Sequence, residues 1–198
     1  VAGFTAGADL RFQLIEKVEV IGANASGIRL TGATIKDSFF YDVDFSKASL
    51  RGASLNGFNK SAPLGAPEVS LFSTFRLNFR GADLSFLQAK GTNFSGADFR
   101  NHADGTATNL RAAQLPESNL SNANFTGVTA GGINLAKANL SGALLQGVVF
   151  AGGDLSGTDL SGVNLSGANL QGINLSKANL TDAILTGANL TGAFLDGA

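Results

Sequence analysis

The chain has 198 residues, one histidine and no cysteine or methionine, and its formal net charge is −1. Without cysteine there are no disulfides, no thiol catalysis and no cysteine-bound metals. Residues 1–109 hold 11 Lys/Arg against 10 Asp/Glu, and residues 110–198 hold 3 against 5, so neither half has the basic charge of a nucleic-acid-binding protein. No apolar run of about 18 residues occurs, so no membrane-spanning helix is predicted.

A five-residue repeat begins close to the N-terminus, and we call its large apolar residue the central residue. The central residues of the first block are Leu10, Ile15, Val20, Ala25, Leu30, Ile35, Phe40, Phe45, Leu50 and Leu55. Residues 10–20 are degenerate and charged, as the capping repeats of solenoids are. Because the chain begins with Val1, we expect that either a targeting segment was cleaved or a tag or truncation was trimmed.

The second block is one residue out of phase with the first, and its central residues are Phe79, Leu84, Ala89, Phe94 and Phe99. Between the blocks lie Pro63 and Pro67, which cannot donate to a β-ladder. We therefore predict a protruding loop at about residues 57–68 that is deletable with little loss of stability. The alternative is a degenerate coil with central residues Leu64, Val69 and Thr74. A shorter interruption is predicted at about residues 100–106.

The third block, from Leu110 to Leu195, is the most regular. Seventeen of its eighteen central residues are Leu or Phe, with Ala130 as the exception. A small or β-branched residue stands two positions before each central residue, and Asn or Asp usually stands at the position directly before it, which we call the preceding position. Glycine is frequent two positions after the central residue, as at Gly142 and Gly167.

A period of five fits neither a helix nor a flat strand, so the chain must turn a corner in every repeat. Residues two apart in an extended piece point the same way, so Ala168 and Leu170 face inward and Asn169 faces outward. Gln171 and Gly172 then form the corner, because glycine tolerates positive φ. We expect Leu165 and Leu170 to be fully buried. The period alone allows a coil with either three or four sides.

Repeats such as Ala138-Asn139-Leu140-Ser141-Gly142 resemble those of the pentapeptide-repeat protein superfamily. The resemblance implies an all-β fold: a right-handed quadrilateral β-helix with four repeats per coil. We expect about 8 coils in a single domain over residues 1–198, with one or two loop insertions. The resemblance is specific for the fold and unspecific for function, because the repeated residues are structural.

The sequence contains no recognisable catalytic or metal-binding set, so we predict a non-enzymatic protein without cofactor or metal. The only histidine, His102, lies near Asp104 in the second interruption, and the two could form a weak proton-transfer or metal pair. A solvated loop is the favoured interpretation, since two polar residues make no catalytic constellation. The Asn residues at preceding positions are predicted to bond to the backbone of the adjacent coil, the alternative being an ordered polar array for ice or a polysaccharide.

Several preceding positions are apolar instead of polar: Leu14, Phe39, Leu144, Val149, Ile184 and Phe194. With four repeats per coil, Leu144 and Ile184 fall on one face and Val149 on the adjoining face. Contiguous exposed apolar patches mark interfaces, whereas isolated surface apolar residues are normal. Our candidate partner contacts are Leu144, Val149, Ile184, Phe194 and, in the predicted loop, Phe58 and Leu64.

The repeat is still running at Asp196-Gly197-Ala198. We expect the last coil to pack against a second copy, a partner subunit or a segment missing from this chain, because terminal coils need a cap. A short solvated end is the alternative.

These features predict a non-catalytic scaffold or protein-interaction solenoid, with no nucleic acid as partner and no direct membrane span. The resemblance implies an association with photosynthetic complexes, because the family abounds in cyanobacteria and thylakoid lumens. The expected location is the thylakoid lumen or another exported or organellar compartment, with the bacterial cytoplasm as alternative. A second function implied by the family is DNA mimicry that protects gyrase from inhibitors. Mimicry needs rows of carboxylates, and Asn replaces Asp along most of the third block.

Overall fold

The computed structural model describes residues 3–55 and 77–198. Within them the central residues point into a continuous apolar column, and every central side chain from Leu110 to Leu175 is buried. Leu165 and Leu170 are 0% and 1% exposed, which confirms the predicted register of the repeat. The described residues form no helix, and the protein is a right-handed quadrilateral β-helix, as the family resemblance implied.

Four faces surround the column, because residues at preceding positions 20 apart lie in parallel register on neighbouring coils. Face 1 contains Asp9, Arg29, Ser49, Asp83, Asn109, Thr129, Val149, Asn169 and Asn189. Face 2 contains Leu14, Thr34, Ser54, Gln88, Gln114, Asn134, Asp154, Asn174 and Phe194. Face 3 contains Glu19, Phe39, Asn93, Asn119, Asn139, Asp159 and Asn179. Face 4 contains Asn24, Asp44, Asn78, Asp98, Asn124, Leu144, Asn164 and Ile184.

Among the described residues, regular strands form only in the first two coils. They are β1 (Leu14–Glu16), β2 (Glu19–Ile21), β3 (Thr34–Lys36) and β4 (Phe39–Tyr41). β1 pairs in parallel with β3 and β2 with β4, in the register Ile15↔Ile35 and Val20↔Phe40. On the other described coils each face forms one isolated β-bridge to the neighbouring coil. No longer strand forms there, because the chain turns a corner directly after the central residue.

The corners are tight turns closed by a hydrogen bond across four residues. At Leu170 the carbonyl accepts a bond of 3.1 Å from the N–H of Ile173, and Gly172 between them has a φ of 63°. This is the left-handed region that glycine enters without a steric penalty. The repeat therefore places glycine at this position for a backbone reason.

Phenylalanine fills the core behind face 4 over four consecutive coils. The rings of Phe45 and Phe79 stack at 5.3 Å between centroids, those of Phe79 and Phe99 at 5.3 Å, and those of Phe99 and Phe125 at 4.6 Å. Beyond this stack the same column continues with Leu145 and Leu165, which are also buried. Aromatic packing is thus concentrated in the first two thirds of the rod.

The spacing between paired residues departs from 20 at two places. Asp44 pairs with Asn78 across 34 residues, and Asp83 pairs with Asn109 across 26. The coils on either side of each departure are direct neighbours, so the extra residues leave the order of the faces unchanged. The predicted loop at 57–68 and its alternative, the coil through Leu64, Val69 and Thr74, lie outside the described residues and stay predictions.

The Asn side chains make different hydrogen bonds from those predicted. At the preceding positions, each Asn Oδ1 accepts a hydrogen bond from the backbone N–H two residues later in the same coil. For example, the N–H of Ser141 donates to Asn139 Oδ1 at 3.0 Å. Where an Nδ2 reaches the next coil, it donates to a side chain, as from Asn174 to Asp154 at 3.2 Å. The adjacent backbone is already occupied by ladder bonds such as the one from the N–H of Asn169 to the carbonyl of Val148. The expectation of bonds to the adjacent backbone was therefore wrong, and the local turn motif is preferred.

Candidate functional site

The second interruption brings three ionisable side chains together. His102 Nδ1 lies 2.8 Å from Asp104 Oδ1, and Lys47 Nζ lies 2.6 Å from Asp104 Oδ2. The hydrogen bond from Lys47, followed by those from Thr106 and His102, holds the pKa of Asp104 well below its usual range. Asp104 is thereby kept as a carboxylate that ties residues 101–107 to the coil of Lys47. The carboxylate fixes the loop by its contacts with Lys47, the N–H of Thr106 and His102.

The loop at residues 101–107 packs directly against Gly81. An added Cβ on Gly81 would lie 2.9 Å from the Cβ of His102 and 3.2 Å from that of Thr106. The N–H of Gly81 donates to Thr108 Oγ1 at 2.7 Å, and the same hydroxyl donates to the carbonyl of Arg100 at 2.7 Å. The loop is therefore closely packed on the rod at a position where only glycine fits.

No cluster of three or more potential metal ligands occurs within residues 3–55 and 77–198. In the same described ranges, no helix is long and apolar enough to cross a membrane.

The apolar candidates for partner contacts are distributed over three faces. Leu144 and Ile184 lie on face 4 with Asn164 between them, and their side chains are 44% and 47% exposed. Val149, on the adjoining face 1, is half-buried. Phe194 lies on face 2 in the last coil, 61% exposed. Leu144 and Ile184 thus share a face, whereas Phe194 is on a different side of the rod.

The remaining apolar candidates differ in their location and exposure. Phe58 and Leu64 lie outside the described residues. Leu14 is exposed at the other end of face 2, as expected for its position. Phe39 is only 4% exposed and does not belong to the central apolar column, so the expectation that it lies on the open surface was wrong. Phe39 therefore offers no surface for a partner.

The last coil is less well covered than those before it. Leu180, Leu185 and Leu190 are half-buried, and Leu195 is 45% exposed beside Phe194. The equivalent central residues one coil earlier, such as Leu165 and Leu170, are fully buried. The central residues from Leu180 to Leu195 are therefore more exposed than those of the preceding coil.

Most carboxylates on the described rod pair with a nearby cation or accept a hydrogen bond from an amide. Asp9 contacts Arg11 at 2.7 Å and Arg29 at 3.1 Å, and the hydrogen bond from Arg11 lowers the pKa of Asp9 to about 2. Burial alone would raise the pKa of Asp98, but its hydrogen bonds with Arg100 outweigh burial and lower it. The acidic groups therefore form no uninterrupted negative row on the described surface.

Two exposed aromatic residues, Phe12 and Phe86, were not singled out by the sequence pattern. Phe86 occupies a corner position that is Gly52 on one neighbouring coil and Ala112 on the other, and its side chain is 44% exposed. The signal was present in the sequence, because a phenylalanine stands two positions after the central residue Leu84, where Gly is the usual residue. Phe86 was missed because the predicted contacts came only from apolar residues at preceding positions, and Phe86 is at a corner.

The family model described as pentapeptide repeats matches the chain in 8 copies, over residues 23–59, 76–101, 106–142, 131–167 and 164–198. No curated protein sequence matches the chain. Among solved structures, a trypsin-treated form of QnrB1, a plasmid-mediated fluoroquinolone resistance protein, is 27% identical with a TM-score of 0.74, covering 94% of this chain and 84% of its own.

Two further solved structures resemble the chain more loosely. HetL, a pentapeptide-repeat protein involved in heterocyst differentiation regulation in the cyanobacterium Nostoc, is 26% identical over 96% of this chain and 90% of its own, with a TM-score of 0.49. A thylakoid lumen protein of Arabidopsis thaliana is 33% identical over 58% of this chain and 65% of its own, with a TM-score of 0.21. Superpositions this loose support no argument about function. Because the family model covers most of the sequence, with repeats that coincide with the faces of the coils, the chain belongs to the pentapeptide-repeat family.

Proposed function

We propose that this protein is a non-catalytic scaffold that binds another protein, or a second copy of itself, through the outside of its β-helix. The supporting observation is that Leu144, Ile184 and Phe194 are 44%, 47% and 61% exposed at preceding positions, where the repeat usually places Asn or Asp. Exposed apolar side chains at positions that are usually polar indicate an interface when one partner can cover several of them.

The positions of these side chains are compatible with one contact at the C-terminal part of the rod. Leu144 and Ile184 are two coils apart on face 4, so their Cα atoms are separated by about 10 Å at the usual spacing of β-strands. Phe194 lies on face 2 of the last coil, on a different side of the rod, and Leu195 beside it is also exposed. A partner that covers the last coil would reach Ile184 and Phe194 together.

Substitution by asparagine tests this function without disturbing the repeat. Ile184→Asn and Phe194→Asn introduce the residue that Asn164 and Asn174 already provide one coil earlier, and Leu14→Asn at the far end of face 2 is the matched control. We expect sedimentation equilibrium to show self-association, or quantitative co-purification from the native cells to show a partner, that is lost in the first two variants and kept in the control. A wild-type protein that is monomeric at high concentration and loses no partner on substitution would contradict the proposal.

A second candidate function is supported by the likeness to QnrB1 over 94% of this chain at a TM-score of 0.74. In this case the rod would bind gyrase as a mimic of DNA and protect it from fluoroquinolones. The pairing of Asp9 and Asp98 with arginines argues against it, because mimicry requires unpaired negative charge. Adding the protein to a gyrase supercoiling assay separates the two functions. A scaffold leaves the activity and its inhibition by fluoroquinolone unchanged, whereas relief of inhibition would favour mimicry.

For the location, we propose the thylakoid lumen or another exported or organellar compartment, in association with a photosynthetic complex, with the bacterial cytoplasm as alternative. The numerous Asn-x-Ser/Thr sequences, such as Asn139-Leu140-Ser141, favour a bacterium or an organelle of bacterial descent, since the eukaryotic secretory pathway would glycosylate them. Fractionation of the native cells with an antibody against the protein tests the location. Recovery with the cytoplasmic fraction would contradict the lumenal proposal and suit the gyrase alternative.

A further inference from the structure

The corner between faces 1 and 2 contains an aromatic residue in an unfavourable backbone conformation. Phe86 has a φ of 59°, in the left-handed region, where a bulky side chain is an outlier. The equivalent corner residues on the two adjacent coils are Gly52 and Ala112, with φ of 61° and 53°, and Phe12 occupies the same corner in the first coil with a φ of 58°. The side chain of Phe86 is nevertheless 44% exposed, so it fills no place in the core that would explain the strain. Twelve described non-glycine residues have a positive φ, so this conformation belongs to the repeat, and the feature that distinguishes Phe86 is its surroundings.

Two arginines flank this phenylalanine on the same corner. The guanidinium carbon of Arg51 lies 5.5 Å from the centre of the Phe86 ring, from the coil on one side. On the other side, the N–H of Phe86 donates to the carbonyl of Arg111 at 3.0 Å, so Arg111 is in the adjacent coil. Arg51 and Arg111 are therefore two coils apart, about 10 Å between Cα atoms, with Phe86 between them.

These two arginines differ from the others that the structure describes. Arg11 and Arg29 pair with Asp9, and Arg80 and Arg100 pair with Asp98. Among residues 3–55 and 77–198, neither Arg51 nor Arg111 forms an ion pair with a carboxylate. Two guanidinium groups are thus free to bind an external anion, on either side of an exposed ring.

We propose that Arg51, Phe86 and Arg111 form a binding site for an acidic segment of a partner protein. Guanidinium groups bind carboxylates through paired hydrogen bonds, and Arg and aromatic side chains are enriched at the centres of protein interfaces. The site fits a segment in which carboxylates flank an apolar side chain that packs on the Phe86 ring. Two cations are too few to follow a nucleic-acid backbone, whose binding depends on many phosphate contacts.

This site gives the scaffold function proposed above a second surface and a defined partner chemistry. It is separate from the C-terminal apolar residues, since it lies on coils that precede residue 112. The two proposals are tested by substitutions at different residues and with different measurements, so either can fail alone.

The probe is a short acetylated and amidated peptide in which two acidic pairs flank a leucine, compared with the same peptide carrying Gln and Asn in place of Glu and Asp. We expect the acidic peptide alone to cause saturable NMR shifts of the Arg51 and Arg111 Nε–H groups and of the Phe86 ring. Arg51→Gln and Arg111→Gln should each weaken binding by roughly tenfold, as substitution of an interface centre does. Lys177→Gln, at a corner in the C-terminal part, is the matched control and should leave binding unchanged.

Phe86→Gly provides a variant that keeps the fold, because glycine is the usual residue at this corner and relieves the positive φ. It should retain the thermal stability of the wild type while losing peptide binding. Equal shifts with the neutral peptide, no saturable shift at the three residues, or tighter binding of oligothymidylate than of the acidic peptide would each overturn the proposal. Self-association that produces the same shifts without peptide would overturn it in favour of a second copy as the occupant.

Discussion

Residues 110–198 and residues 3–109 of this rod keep the same four faces by different means. In the C-terminal region, paired residues are always 20 apart and most of the central residues are leucine. In the N-terminal region the spacing changes to 34 and then 26, and phenylalanine stacks through the core. Ion pairs between described residues all involve this region, as between Arg100 and Asp98.

The difference shows what each kind of contact supplies. Where every coil has the same length, the ladder and the leucine column define which residues meet, and no further interaction is needed. Where the coil length changes, side chains with a single fitting geometry, such as stacked rings and ion pairs, fix the register of neighbouring coils. The N-terminal region therefore depends more on particular residues, and the C-terminal region more on the repeat itself.

The largest expected effect is that of removing a ring from the phenylalanine stack. Phe99→Ala should lower the free energy of unfolding by about 3–5 kcal/mol, because it leaves a large cavity between Phe79 and Phe125. Phe99→Leu, which introduces the residue of the C-terminal core, should cost no more than about 1.5 kcal/mol. Denaturant unfolding measures both values. Equal losses for the two variants would mean that ring stacking, and not filled volume, stabilises this region.

In the C-terminal region, Leu170→Ala should lower the free energy of unfolding by about 2–5 kcal/mol, since the side chain is 1% exposed. Because each coil contacts only its neighbours, the loss of hydrogen-exchange protection should be confined to the coils next to Leu170. A loss of protection that spreads evenly to the N-terminal coils would show that the two regions unfold as one unit.

A smaller difference is expected between two corner glycines. Gly172→Ala places a Cβ in open space at a φ of 63°, and should cost about 1 kcal/mol. Gly81→Ala, at a φ of 70°, adds a clash with His102 and should cost about 2–3 kcal/mol. Urea unfolding gives both costs, and exchange of the Gly105 N–H reports whether the loop has moved. Identical costs would contradict the close packing of the loop on Gly81.

The smallest effect is that of acid on the N-terminal region. Since the hydrogen bond from Arg11 lowers the pKa of Asp9 from 3.8 to about 2, the carboxylate stabilises the folded state above about pH 4 and this contribution is lost as the pH falls towards 2. Asp9 is exposed, so the change is small. Hydrogen exchange should show greater loosening at Gly32 than at Gly172 on acidification. Asp9→Asn should remove the difference, and its persistence in that variant would exclude Asp9 as the cause.

The sequence predicted the features that depend on a constant spacing. The burial of Leu165 and the common face of Leu144 and Ile184 follow from counting by five and by 20. The proximity of Lys47 to Asp104 and of Arg51 to Phe86 could not be counted in this way, because the intervening insertions change the number of residues per coil. The burial of Phe39 was missed because a preceding position indicates only the direction of a side chain and not what covers it.

The four-faced coil also determines how this surface responds to changes in chain length. Extra residues that leave the ladder at a corner, as between Asp98 and Asn109, do not turn the faces that follow, since Asp98 still pairs with Asn124. Removal of one repeat from the regular region would act differently, because every later residue would advance to the neighbouring face while the core remained filled. Ile184 would then leave the face of Leu144 by a quarter turn. Insertion or deletion of five residues thus rotates the later part of the binding surface by a quarter turn around the rod, while the core keeps its packing.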